Sequence, residues 1–141
     1  AQGEAQAIYR DALRIARDVA ARDVTYARGQ RDLFLSLSRL GDALEADQAW
    51  TEALAHREEA LVVSRDLAAL DASAVLAQRD LFVSLFAVGD VHRAQDDLEA
   101  ASARFEEALE VARRLAANNE MYAPAQRDVW LRNPEALSGD T

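Results

Sequence analysis

Gln30-Arg31-Asp32-Leu33-Phe34 recurs as Gln78-Arg79-Asp80-Leu81-Phe82 and, altered at its last two positions, as Gln126-Arg127-Asp128-Val129-Trp130. The spacing is 48 residues both times. A fixed period of this size marks an array of stacked units, each too small to bury its apolar face alone. Laid on 75–122, residues 27–74 agree at 21 of 48 positions, and residues 1–26 agree with 49–74 at 11 of 26, so the period runs through the whole chain. One repeat domain is therefore expected over 1–132. It comprises a half repeat (1–26), two full repeats (27–74 and 75–122) and the opening helix of another (123–132), followed by a tail at 133–141.

Working outward from the recurring stretch, the apolar spacing is helical. Leu33, Leu37, Leu40 and Leu44 step by 4, 3 and 4, as do Leu81, Leu85, Val88 and His92, which draws one buried stripe along a helix. Ala53, Arg57, Ala60, Leu61 and Leu67, matched by Ala101, Phe105, Ala108, Leu109 and Leu115, outline a second helix with a narrow face of small residues. Asp47 and Asp96 are expected to cap the start of that second helix, and Pro124 suits a first helical turn. The predicted helices are 4–22, 26–46, 49–69, 74–94, 97–117 and 123–132.

Composition agrees with an all-α chain and excludes several function classes. Half the 141 residues are hydrophobic, while Gly (5) and Pro (2) are scarce. The net charge of −9 argues against nucleic acid and against an anionic membrane surface, both of which select basic faces. No apolar run approaches the roughly 18 residues of a transmembrane helix. With no cysteine and no signal-peptide pattern, a cytoplasmic protein is expected. The first residue is Ala1 rather than Met, as expected of a piece of a longer protein.

Gly41 and Gly89 sit at one repeat position inside a helix, where Gly costs about 1 kcal/mol relative to Ala. Close helix packing is the expected reason, with Ala53 and Ala101 as the small partners. Leu85-x-x-Val88-Gly89-x-x-His92 followed by Ala101-x-x-x-Phe105-x-x-Ala108, with Leu37, Leu40, Gly41, Leu44, Ala53, Arg57 and Ala60 one period earlier, resembles the tetratricopeptide (TPR) pattern. The usual period is shorter, so this is an extended-helix variant, and Arg65 and Arg113 replace the closing proline. The resemblance implies a right-handed α-solenoid of antiparallel helical hairpins whose first helices line a concave side and bind protein.

No catalytic set is visible. His56 and His92 lack metal-ligand spacing. His56 reads as a solvated surface residue and His92 as a core or half-buried one. Glu58-Glu59 and Glu106-Glu107 point apart on their helices and read as surface charge. The expectation is a non-enzyme with no metal and no cofactor. It acts as an interaction or scaffold module that holds a peptide segment of a partner protein in a groove. The groove residues are Arg31, Leu35, Ser38, Asp42 and Glu45 on one first helix and Arg79, Val83, Phe86, Asp90 and Arg93 on the next. Arg127 and Leu131 extend the arginine row and the apolar strip, and Phe86 is the apolar anchor.

The alternative for the repeated charges is pairing between neighbouring helices, such as Asp32 with Arg79 or Asp80 with Arg127, joined by Arg17, Arg65 and Arg113. The alternative function is a structural or oligomerising segment of a larger protein. Ile8, Tyr9, Leu13, Ile15 and Trp130, on end helices without a partner, would then drive self-association.

Overall fold

The computed structural model describes residues 2–118, and the helix expected at 123–132 and the tail at 133–141 lie outside them. Five helices make up the described chain: α1 (Gln2–Arg22), α2 (Ala27–Ala46), α3 (Trp50–Leu70), α4 (Val75–Ala94) and α5 (Leu98–Asn118). These bounds differ from the sequence-based ones by one or two residues. No strand occurs among the described residues. The extensive contacts join each helix to its neighbours in sequence, the pattern of a repeat array.

Two apolar clusters hold the helices together. Leu13, Ala16 and Ala20 of α1 join Leu33, Phe34, Leu37, Leu40 and Leu44 of α2 and Ala53, Ala60, Val63 and Leu67 of α3. Leu61 and Ala68, on the other side of α3, join Leu81, Phe82, Leu85, Phe86 and Val88 of α4 and Ala108, Val111, Ala112 and Leu115 of α5. The central helix thus contributes to both clusters. That is why α3 has little one-sided amphipathicity while α1 and α2 have a single apolar stripe.

The repeat extends to its polar details. At one junction Asp23 Oδ1 accepts the Thr25 backbone N–H at 3.0 Å and its hydroxyl at 2.6 Å. At the next, Asp71 Oδ1 accepts the same two groups of Ser73 at 2.9 and 2.6 Å. Just past each turn, Gln30 Nε2 donates to the Ala20 carbonyl at 3.1 Å, and Gln78 Nε2 to the Ala68 carbonyl at 3.4 Å. Each amide thereby satisfies one of the carbonyls left open where the preceding helix ends.

The expected caps are corrected. Asp47 is the C-cap of α2, its Oδ2 receives the Gln6 amide, and Ala49, with no capping side chain, precedes α3. Asp96 stands with Gln48 in the left-handed region, at φ 62° and 57°. Both residues reverse the chain where glycine would be the ordinary choice. The carboxylate that caps α5 is Asp97, whose Oδ1 accepts the Ala100 N–H at 3.2 Å.

The glycine partners are corrected as well. A β-carbon at Gly41 would stand 2.8 Å from Arg57 Nε, and one at Gly89 would stand 2.6 Å from Phe105 Cε1. The glycines make room for a large flat group, a guanidinium in one repeat and a phenyl ring in the next. Ala53 and Ala101 are buried in their own right.

Candidate functional site

The Gln-Arg-Asp-Leu-Phe stretch places its arginine and aspartate on the flank shared by α2 and α4. Arg31 Nε donates to Asp80 Oδ2 at 3.0 Å, with the Asp80 side chain only 11% exposed. The interhelical pair is thus Arg31–Asp80, one position displaced from the Asp32–Arg79 pairing the spacing suggested. Asp32 itself is exposed and makes no ion pair among the described residues. Arg17 pairs with Glu59 at 2.6 Å and Arg65 with Glu107 at 2.8 Å, so these arginines tie second helices together at the same repeat positions. Both are exposed pairs of modest worth.

Asp42 and Glu45 converge on Arg57. The guanidinium donates from Nε to Glu45 Oε2 at 2.8 Å, from Nη2 to Asp42 Oδ1 at 2.5 Å and to Glu45, and from Nη1 to the Ser38 carbonyl at 3.1 Å. Burial alone would pull the Arg57 pKa down. Its bonds to Asp42 and Glu45 outweigh that and leave it raised, so it is charged at every physiological pH. One cation faces two carboxylates, so the cluster keeps a net negative charge. Asp42 presents most of it outward, with its side chain 74% exposed.

The cluster around Asp42 does not recur unchanged at Asp90 in the next repeat. Asp90 is held by Arg93 on its own helix, Nη2 to Oδ1 at 3.0 Å. Phe86 is corrected outright: it is 4% exposed, its ring 5.8 Å from Phe82 and 4.8 Å from Phe105. The apolar cluster of α3, α4 and α5 claims it, with Phe105 packed against its ring, so no groove anchor remains there. Val83 is exposed and Leu35 packs partly on the α2 cluster. Arg79 is exposed, and Arg127 and Leu131 lie outside the described residues.

Three of the expected residues do come together. Ser38, Asp42 and Val83 line a pocket of about 110 Å³ where α2, α3 and α4 meet, with Arg57, Ala60, Ser84 and Ala87 completing its wall. Ser84 is buried and its Oγ has no hydrogen-bond partner among the described residues. Arg57 and Ser84 are the two polar members that the sequence reading did not assign to this site. Arg57 could have been found from its register with Phe105. Ser84 could have been found as a hydroxyl between Val83 and Leu85 on a largely apolar helix.

The histidines take no part. His56 Nδ1–H donates to the Glu52 carbonyl at 2.8 Å on its own helix. His92 is half-buried, about 4 Å from Glu58 and Asp97. Among the described residues, no group of three or more His, Cys, Asp or Glu could hold a metal ion, and no helix is long and apolar enough to cross a membrane. Compared with family models, with curated proteins and with solved structures, the chain matches none.

Proposed function

We propose that the chain is a non-catalytic protein-interaction module of cytoplasmic type. Its helices form antiparallel hairpins of a right-handed, TPR-like solenoid, and the flank shared by α2 and α4 receives an extended segment of a partner protein. The 48-residue period and neighbour-to-neighbour packing support the architecture.

One observation carries the binding reading: the pocket at the meeting of α2, α3 and α4 is lined, beside a charged rim, by Ser84, whose buried hydroxyl has no partner among the described residues. A buried polar atom left unsatisfied costs about 1–3 kcal/mol, and an entering polar group recovers that cost. The pocket suits a short polar side chain, with Ser84 in its wall, the exposed Asp42 carboxylate as acceptor and Val83 as apolar lip.

Selection of a displayed random-peptide library on the 141-residue chain tests this reading. Enriched peptides should lose most of their binding to a Val83→Lys chain, whose exposed substitution leaves the core untouched. Absence of enrichment, or enriched peptides that bind Val83→Lys equally well, would refute it. A second reading, an oligomerising repeat segment, is supported by the exposed apolar side chains of Ile8 and Ile15 on α1.

A further inference from the structure

The two full repeats put different side chains at one pair of matching positions. In the later repeat these are Phe86 of α4 and Phe105 of α5, whose rings pack 4.8 Å apart. In the earlier repeat they are Ser38 of α2 and Arg57 of α3. A hydroxymethyl group is far smaller than a ring, and beside Ser38 and Arg57 lies the pocket of about 110 Å³, closed by Val83, Ser84 and Ala87 of α4.

The polar groups around this pocket are unevenly engaged. Ser38 Oγ donates to the Phe34 carbonyl at 2.9 Å, and the Ser38 carbonyl accepts from Arg57. All three guanidinium nitrogens of Arg57 already donate. Two groups remain for a ligand. Ser84 is 4% exposed and its hydroxyl bonds nothing among the described residues. Asp42 gives Oδ1 to Arg57 and keeps its side chain 74% exposed. Because Glu45 also pairs with Arg57, the one positive charge is already balanced and a carboxylate is left over. An entering anion would be repelled by Asp42 and find the guanidinium occupied. A cation gains both the carboxylate and the hydroxyl.

Resting on the peptide-binding reading above, we infer that the group this pocket takes is the ammonium of a lysine in the partner segment. Its methylenes lie along Ala60, Val83 and Ala87, and the ammonium donates to Asp42 and to Ser84 Oγ. An ammonium is a compact charge with three donors, whereas an arginine would bring a second wide, planar fork up to Arg57. The next repeat offers no copy of the site, since Asp90 is held by Arg93 and Phe86 stands in the place of Ser38. One lysine is therefore read, at one place on the flank.

Random peptides displayed and selected on the 141-residue chain, then resynthesised and measured by titration calorimetry, test this. The enriched peptides should share one lysine. Exchanging it for norleucine, which keeps the methylenes and lacks the ammonium, should weaken binding about tenfold or more. Asp42→Asn should cause a loss of the same order while Arg57 stays bonded to Glu45 and the melt is unchanged, and the norleucine peptide should bind both chains alike. Ser84→Ala should weaken the lysine peptide about threefold or more without loss of stability, a split that a purely structural hydroxyl would not produce. Peptides that lose binding to Val83→Lys yet share no lysine, or carry arginine or a carboxylate in its place, would overturn the lysine assignment and leave the peptide-binding reading standing. So would a lysine whose exchange weakens binding to Asp42→Asn as much as to the unaltered chain, because it would then sit elsewhere. Absence of enrichment would overturn both.

Discussion

The ring of Phe105 fills the space that Gly89 leaves open, its Cε1 only 2.6 Å from where a β-carbon would stand. In most helix interiors Gly→Ala gains about 1 kcal/mol from propensity. Here the added methyl must push a ring that is itself packed, tilted, against Phe86. Overpacking of that kind costs about 1–3 kcal/mol, so Gly89→Ala should lower stability by about 1 kcal/mol or slightly more in urea denaturation. Gly41→Ala meets the movable end of an arginine and should come out near neutral. A clear gain from Gly89→Ala would show that the ring yields freely.

Arg57 and Phe105 are two answers to one packing position, which makes an exchange informative. Arg57→Ala empties the space over Gly41 and leaves the half-buried Glu45 carboxylate without its partner, at a cost of about 2–4 kcal/mol. Arg57→Phe should recover at least half of that loss, because a ring fits over glycine in the next repeat. Equal losses for both variants, by thermal or urea melts, would mean that the charge cluster rather than the filled volume stabilises this repeat.

Arg31–Asp80 and Arg17–Glu59 share a donor and acceptor type but differ in surroundings. Asp80 is largely covered, whereas both partners of the second pair are 40% exposed or more. Double-mutant cycles to alanine should give about 1–2 kcal/mol of coupling for the covered pair and less than about 1 for the other. The second should fade further in molar salt. Indistinguishable couplings would contradict the burial difference.

Acid should loosen the two repeat junctions together. The Thr25 hydroxyl and then its backbone N–H hold the Asp23 carboxyl below its ordinary pKa of 3.8, and Ser73 does the same for Asp71. A carboxylate depressed in the folded state adds stability that is fully present above the ordinary value and is lost as pH falls through the lowered one. These turns should therefore be indifferent to pH from neutrality to about 5 and weaken below 3.8. Carbon-detected titration of the two carboxyl groups checks this, and midpoints at or above 3.8 would contradict it.

Ser84 offers a test with an unusual sign. Its buried hydroxyl has no partner among the described residues, so Ser84→Ala removes an unsatisfied group and no bond found there. The variant should be neutral or more stable by up to about 1 kcal/mol, in contrast to most buried substitutions. A loss beyond 1 kcal/mol in urea would indicate that the hydroxyl is satisfied in solution.

Helix positions were legible in the sequence because a 3.6-residue apolar period, written twice with the same punctuation, leaves little freedom. The side-chain pairings were not. Helical bearing puts Arg31, Asp42 and Glu45 near one face, but says nothing of a cation arriving from α3. Arg57 takes both carboxylates because the chain turns back at Gln48, which sets residue 57 against 41 and 45. Phe86 was misplaced for a related reason. Its own helix leaves it beside exposed Val83, and the packing of Phe105 of α5 against its ring draws it inward. Bearing on one helix is a local property; burial depends on which neighbour is tall enough to reach.

The neighbour-to-neighbour packing of α1 to α5 has a consequence for how the chain comes apart. With the extensive contacts among the described residues confined to consecutive helices, free energy is held in a line of couplings rather than in one shared centre. Opening therefore starts at an end and travels inward. Amide hydrogen exchange should then form a slope, slowest in α3, which is gripped from both sides, and fastest in the outer turns of α1.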